Sequence, residues 1–192
     1  MTVIATLGPQ GSNHDNSTRR YIEFRRIAKA RILHVEQFAD AFVAMRRGEV
    51  DLIVQVCAHP EVASLIEANY RDAYLVDSYI APTKSMGVVT RRDVAEPESI
   101  GLLMVTQGYF DLSRWKHVVP EFSNGEVYRG LLEGRYDSGF TSTDLVDQHP
   151  DRFRVDKLIG EVDLVWMVYG RERVRTGPIL AWPDAPVTRL FS

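Results

Sequence analysis

Leu7-Gly8-Pro9-Gln10-Gly11-Ser12-Asn13 and Val105-Thr106-Gln107-Gly108-Tyr109-Phe110-Asp111 are the two stretches on which the reading of the fold turns. Each follows an apolar run, carries glycine and leads into a segment read as helix. Further along, each half holds an amphipathic helix that ends in glycine and runs through Gly-x-x-Asp into a strand, at Gly48-Glu49-Val50-Asp51 and at Gly134-Arg135-Tyr136-Asp137. A repeat of arrangement rather than of residues predicts two similar lobes, each with the same βαβ–αβ core.

Working outward, apolar runs rich in β-branched residues predict strands at Val3 to Leu7, Ile32 to Val35, Leu52 to Cys57, Leu75 to Ile80, Met86 to Thr90, Ile100 to Val105, Val118 to Val119 and Leu164 to Tyr169. Between them, Ser17, Tyr21, Phe24 and Ala28 share one helical face, as do Phe38, Phe42 and Met45, and Val62, Leu65, Ile66 and Asn69. Strands separated by helix-length segments indicate an α/β fold with mostly parallel sheets flanked by helices. The segment from Tyr74 to Asp93 has two strands and Pro82 but no room for a helix, so the chain is expected to cross between lobes there. A second crossing near Gly160 to Asp163 would return the last strand to the first lobe. The expected division is 1–82 for lobe I, 83–162 for lobe II, and 163–192 for the return strand and a C-terminal tail. That tail, with Pro178, Pro183 and Pro186, is expected to wrap the surface. This topology is similar to the type 2 periplasmic-binding-protein fold, in which a ligand sits in the cleft between two hinged lobes.

Composition narrows the functional classes. The 192 residues carry a net charge of −3, with 45% hydrophobic and 26% charged residues and a single cysteine, which is ordinary for a folded domain. No apolar run approaches the ~18 residues of a membrane span. The arginines are scattered rather than striped, so a membrane protein and a general nucleic-acid binder are poor readings. With no leader-like segment before the first strand, the expected address is the cytoplasm. A small-molecule site is the leading idea, and exposed helix faces are compatible with a homodimer.

Several positions carry chemistry that suits such a site. Gln10, Gly11, Ser12 and Asn13 open a helix, and a glycine-bearing helix start presents N–H groups to an anion, worth about 0.3–1 kcal/mol when exposed. Thr106, Gln107 and Gly108 repeat the pattern in the other half, and two opposed helix starts would suit a ligand with two negative groups. Gln55 and His59 lie near the carboxyl end of a strand, where ligands collect in α/β sheets. His59 and His14 are the candidate proton donors near neutral pH. Lys84, one of only four lysines against nineteen arginines, sits in the crossing segment as a candidate clamp for an acid group. Thr141 follows the second Gly-x-x-Asp strand as a candidate hydroxyl donor, with helix capping as the plainer role for Thr141 to Thr143. Cys57 reads as core packing. His14, His34, His117 and His149 have no metal-ligand spacing with each other or with Cys57, and neither a dinucleotide fingerprint nor a phosphate loop is present, so no cofactor and no metal are expected.

The opening Leu7-Gly8-Pro9-Gln10-Gly11-Ser12-Asn13-His14 resembles the Gly-Pro-Glu-Gly-Thr-(Phe/Ser)-Ser-His motif of prephenate dehydratases. The helix through Phe38 and Phe42, followed by Gly48 to Asp51 and Leu52 to Val56, is similar to that family's next block, and the likeness continues more weakly to about residue 170. The departures matter. Where dehydratases have Pro-Ile-Glu-Asn-Ser, this chain has Val56-Cys57-Ala58-His59-Pro60. Where they carry Thr-Arg-Phe, thought to assist loss of the ring hydroxyl, it has Asp163-Leu164-Val165-Trp166-Met167. The chain is most similar in these respects to the prephenate decarboxylases of bacilysin-type antibiotic pathways. That resemblance implies a cofactor-free carbon–carbon lyase that releases carbon dioxide from a dicarboxylate and keeps the ring hydroxyl. A dehydratase giving phenylpyruvate and a non-catalytic small-acid-binding protein are the alternatives.

Overall fold

The computed structural model describes residues 1–175 together with 177, 179, 181, 182 and 187. Lobe I begins β1 (Thr2–Leu7), α1 (Asn13–Phe24), β2 (Ala30–Val35), α2 (Phe38–Arg46), β3 (Leu52–Val56), α3 (Val62–Asn69) and β4 (Tyr74–Pro82). Lobe II follows as β5 (Met86–Arg91), β6 (Ser99–Leu103), a short 3-10 helix (Met104–Tyr109), β7 (His117–Glu121), α4 (Asn124–Glu133), β8 (Ser138–Ser142), α5 (Asp144–Gln148) and β9 (Phe153–Gly160). The chain then returns as β10 (Asp163–Gly170) into the sheet of lobe I. The strand orders are β2-β1-β3-β10-β4 and β7-β6-β8-β5-β9.

The repeat read from the sequence has a structural cause. In both lobes a parallel trio, β2-β1-β3 or β7-β6-β8, is extended by antiparallel strands. The Gly-x-x-Asp glycines, Gly48 and Gly134, take φ of +75° and +73°, the left-handed conformation that ends a helix at no side-chain cost. The aspartates then secure the first strand of each trio. Asp51 Oδ2 accepts the Val3 N–H at 2.8 Å, and Asp137 Oδ2 accepts the Ser99 N–H at 3.0 Å and the Ser99 hydroxyl at 2.9 Å.

Two expectations are corrected here. The sheets are mixed rather than mostly parallel, because β4 to β5 and β9 to β10 connect directly between lobes with no helix to turn the chain parallel. In lobe II the segment after β6 forms only a 3-10 turn. The Thr106 hydroxyl donates back to Leu103 O at 2.6 Å, and the β-branched pair Val105-Thr106 followed by Gly108 is a poor α-helix starter. Phe110 and Trp115 fill the core where α1 lies in lobe I.

Each sheet is packed on both faces. In lobe I, Phe38, Ala41, Phe42 and Met45 of α2 and Leu65 of α3 cover one face, while Tyr21 of α1 covers the other with Trp166 and Val168 of β10. In lobe II, Val127 and Leu131 of α4 and Leu145 of α5 cover one face of the second sheet. Phe24 and Ile66, placed on buried faces by periodicity, are exposed: α1 ends at Phe24, so the stripe toward Ala28 never forms. Cys57 is also exposed, because β3 stops at Val56 and the thiol lies in the following turn. The expected wrapping of the tail beyond Arg171 falls largely outside the described residues.

Candidate functional site

The two crossings between lobes are tied to each other. Thr83 N–H donates to Val162 O at 2.9 Å, and Val162 N–H returns to the Thr83 hydroxyl at 3.0 Å. Beside this double strap a cavity of about 310 Å³ opens between the lobes. Its wall from lobe I is Pro9 to Asn13. The strap contributes Lys84, and lobe II contributes Asn124, Gly125, Tyr128, Arg129 and Leu132 from α4 with Thr141, Ser142, Asp144 and Gln148. This is the small end of the range for ligand pockets. A larger hollow of about 390 Å³ lies within lobe II around Arg91, Gly134 and Arg152. Its Arg91 is paired with Asp93 at 2.6 Å, and it gathers none of the candidate binding or catalytic residues.

Local sequence builds each part of the wall. After the cis Gly8–Pro9 bond the chain turns into α1, whose N-cap Ser12 accepts the Asp15 N–H at 3.3 Å. Asp15 in turn accepts the Gly11 N–H and Arg19 Nε, both at 2.9 Å, and meets His34 Nε2 at 2.8 Å. Burial alone would raise the Asp15 carboxyl, but the bonds from Arg19, Gly11 and His34 outweigh it and hold the group below the usual carboxylate range. From the other lobe, Ser123 caps α4 by accepting the Glu126 N–H at 3.2 Å, and the flank of this ten-residue helix, from its start at Asn124 and Gly125 to Leu132, borders the same cavity. The first turns of two helices from opposite lobes therefore border one cavity.

Gly125, in the first turn of α4, makes this convergence possible. A Cβ built there would stand 2.5 Å from Pro9 Cδ, so only glycine lets the lobes come this close. Lys84 knits the same region: its N–H donates to Asn13 Oδ1 at 2.7 Å, and its ammonium donates to Gly11 O at 2.9 Å while also pairing with Asp144. Asp144 Oδ1 accepts the Ser142 hydroxyl at 2.5 Å. The Thr141 hydroxyl donates to Asn124 O at 3.0 Å, fixing β8 against the start of α4.

Gln10, Gly11, Ser12, Asn13, Lys84 and Thr141 thus meet around one cavity. Thr106, Gln107, Gly108, Gln55, His59 and His14 do not line it. Thr106 is buried against Leu103, while Gln107 and Gly108 are exposed on the 3-10 turn. His14 points back into lobe I, 5.5 Å from the Phe38 ring and 5.2 Å from Trp166, with Nε2 buried and unpartnered. Burial, helped by neighbouring His59, lowers its pKa to about 3, so it is neutral at physiological pH. His59 packs edge-on against Phe38 at 5.1 Å, and burial lowers its pKa too, against the pull of Glu61. Its Nδ1 accepts the Glu61 N–H at 3.3 Å. Gln55 is fully buried with both amide atoms unpartnered.

The residues missed by sequence reasoning include Asn124, Gly125, Tyr128, Arg129 and Asp144. A signal for the first two was present, since Ser123-Asn124-Gly125-Glu126 has the Ser-x-x-Glu spacing of a helix start. Among the described residues no cluster of metal ligands occurs, and no helix is long and apolar enough to cross a membrane.

The chain matches no protein-family model and no curated protein. Among solved structures it is similar to a prephenate dehydratase from Arthrobacter aurescens in complex with L-Phe, with a TM-score of 0.69 and 16% identity over 98% of this chain and 70% of that one. It is also similar to the periplasmic VFT2 domain of BvgS from Bordetella pertussis, with a TM-score of 0.54 and 12% identity over 88% of this chain and 80% of that one. A third is GqqA, described as a novel type of quorum quenching acylase, with a TM-score of 0.54 and 15% identity over 92% and 66% of the two chains. At these identities the likeness is one of fold: two mixed α/β lobes of the type 2 periplasmic-binding-protein kind.

Proposed function

We propose that the interlobe cavity binds a small dicarboxylic acid of the prephenate type and that the protein is a carbon–carbon lyase, releasing carbon dioxide from it without aromatising the ring. The observation that carries this reading is the convergence of the α1 and α4 starts, one from each lobe, on a cavity that also holds Lys84. Two carboxylates on one small ligand match two helix starts, and the similarity to a prephenate dehydratase makes prephenate the first acid to test.

The preference for decarboxylation over dehydration rests on the sequence. Expelling the ring hydroxyl as water needs help at that hydroxyl, and the Thr-Arg-Phe thought to give it in dehydratases is replaced here by Leu164, Val165 and Trp166 and their neighbours. Loss of carbon dioxide breaks the bond between ring and carboxylate and sends the electron pair into the adjacent ring double bond, whose far carbon takes up a proton. Such a step asks the protein for orientation, dry surroundings for the leaving carboxylate and a proton source. The Lys84 ammonium and the Tyr128 hydroxyl bear protons on this wall; burial, then Asp144, raises the Tyr128 pKa.

The test is product analysis. Purified protein mixed with prephenate should consume it, release carbon dioxide and yield a non-aromatic keto acid that retains the ring hydroxyl. Phenylpyruvate as product would establish a dehydratase instead, and ligand-dependent stabilisation without turnover would establish a binding protein.

A further inference from the structure

Both cations of the cavity are already occupied by carboxylates of the chain. Arg129 pairs with Glu126 at 2.5 Å and approaches Glu133 at 3.9 Å along α4. Lys84 pairs with Asp144. The second pairing differs in kind, because it joins the interlobe strap to lobe II while the same ammonium holds Gly11 O of lobe I. Asp144 is oriented for this by the Ser142 hydroxyl, and both members of the pair are about three-quarters buried, with side chains 24% and 28% exposed. Asp144 stands where the carboxylate of a ligand bound to Lys84 would stand.

We propose that Asp144 is the specificity-determining residue of the cleft, an internal carboxylate that occupies Lys84 in the empty site and must yield the ammonium to a ligand. This rests on the reading that the cavity takes an acid. A ligand anion at Lys84 faces Asp144 as both competitor for the ammonium and like charge, in surroundings less screened than open water. A monocarboxylate can settle at a helix start and leave the pair intact, gaining little. A dicarboxylate can anchor one group at the helix starts and use the other to displace Asp144, so the residue selects for a second negative group and rejects weak monoacids.

The test is calorimetric titration, at low ionic strength, of prephenate, malonate and inorganic phosphate into the wild-type protein, Asp144→Asn, Lys84→Met and the double variant, with thermal unfolding as a check of folding. Asp144→Asn should bind malonate and phosphate at least tenfold more tightly than wild type, and the gain should largely disappear in the Lys84→Met background. Asp144→Ser serves as the second variant should the asparagine chain fold poorly. Folded Asp144 variants that bind these dianions no more tightly than wild type, or do not bind them at all, overturn the proposal. Tighter malonate and phosphate binding with no binding of prephenate upholds the role of Asp144 and removes the prephenate reading alone.

Discussion

Gly125 and Pro9 bring the two lobes into close approach, leaving no room for a single added methyl group. Gly125→Ala should hold the lobes apart while improving the intrinsic helix propensity of α4. Its expected signature is unchanged or slightly raised thermal stability with at least tenfold weaker ligand binding, measured by unfolding and calorimetry side by side. Gln55 makes the opposite case, a fully buried amide with neither atom partnered. Replacing it by leucine removes the desolvated polar group, so Gln55→Leu should stabilise the protein by about 1–3 kcal/mol in denaturant unfolding and leave binding unchanged. His14 sets an acid limit. Its folded pKa of about 3 lies below the unfolded 6.5, so the unfolded chain takes up a proton that the folded one refuses as pH falls through that window. Stability attributable to His14 should therefore fall by about 1.4 kcal/mol per pH unit between those values, and His14→Leu should flatten this limb in unfolding curves taken across the range. At this scale the sequence shows which residues carry chemistry better than it shows where they point. Gln10 to Asn13 and Lys84 were findable from a glycine loop and a scarce lysine, whereas His59 sits at a strand end as expected but turns onto Phe38, a contact between elements twenty residues apart that no local pattern encodes.

At the scale of elements, α4 is the informative one. Its cap supplies the lobe II half of the site, so Ser123→Ala should cost about 1 kcal/mol of stability and weaken ligand binding as well, the two effects read by unfolding and titration. The internal repeat made the lobes legible because each Gly-x-x-Asp performs the same task, ending a helix and securing the first strand of a trio. The same repeat misdirected the search for the second helix start. By symmetry the counterpart of the Gly8 to Asn13 loop is the 104–109 segment, yet the lobes face each other so that α1 of one meets α4 of the other. Strand β9 escaped notice for a different reason: Phe153-Arg154-Val155-Asp156-Lys157-Leu158 has three charges and a broken alternation, and it forms an edge strand held mainly by its pairing with β5.

For the whole molecule, two direct strand connections at 83–85 and 161–162 join the lobes and account for the mixed sheets, and they leave a cleft whose walls come from distant parts of the chain. That geometry accounts for a net charge of −3 telling nothing about the cavity: the charged side chains that border it, Lys84, Asp144 and Arg129, are local and paired within the chain. The most direct measurement is calorimetric titration of prephenate into the wild-type protein and into Lys84→Met. Saturable one-to-one binding to the wild type that weakens at least tenfold without the lysine is the expected result. Equal binding to both proteins, or none to the wild type, would contradict it.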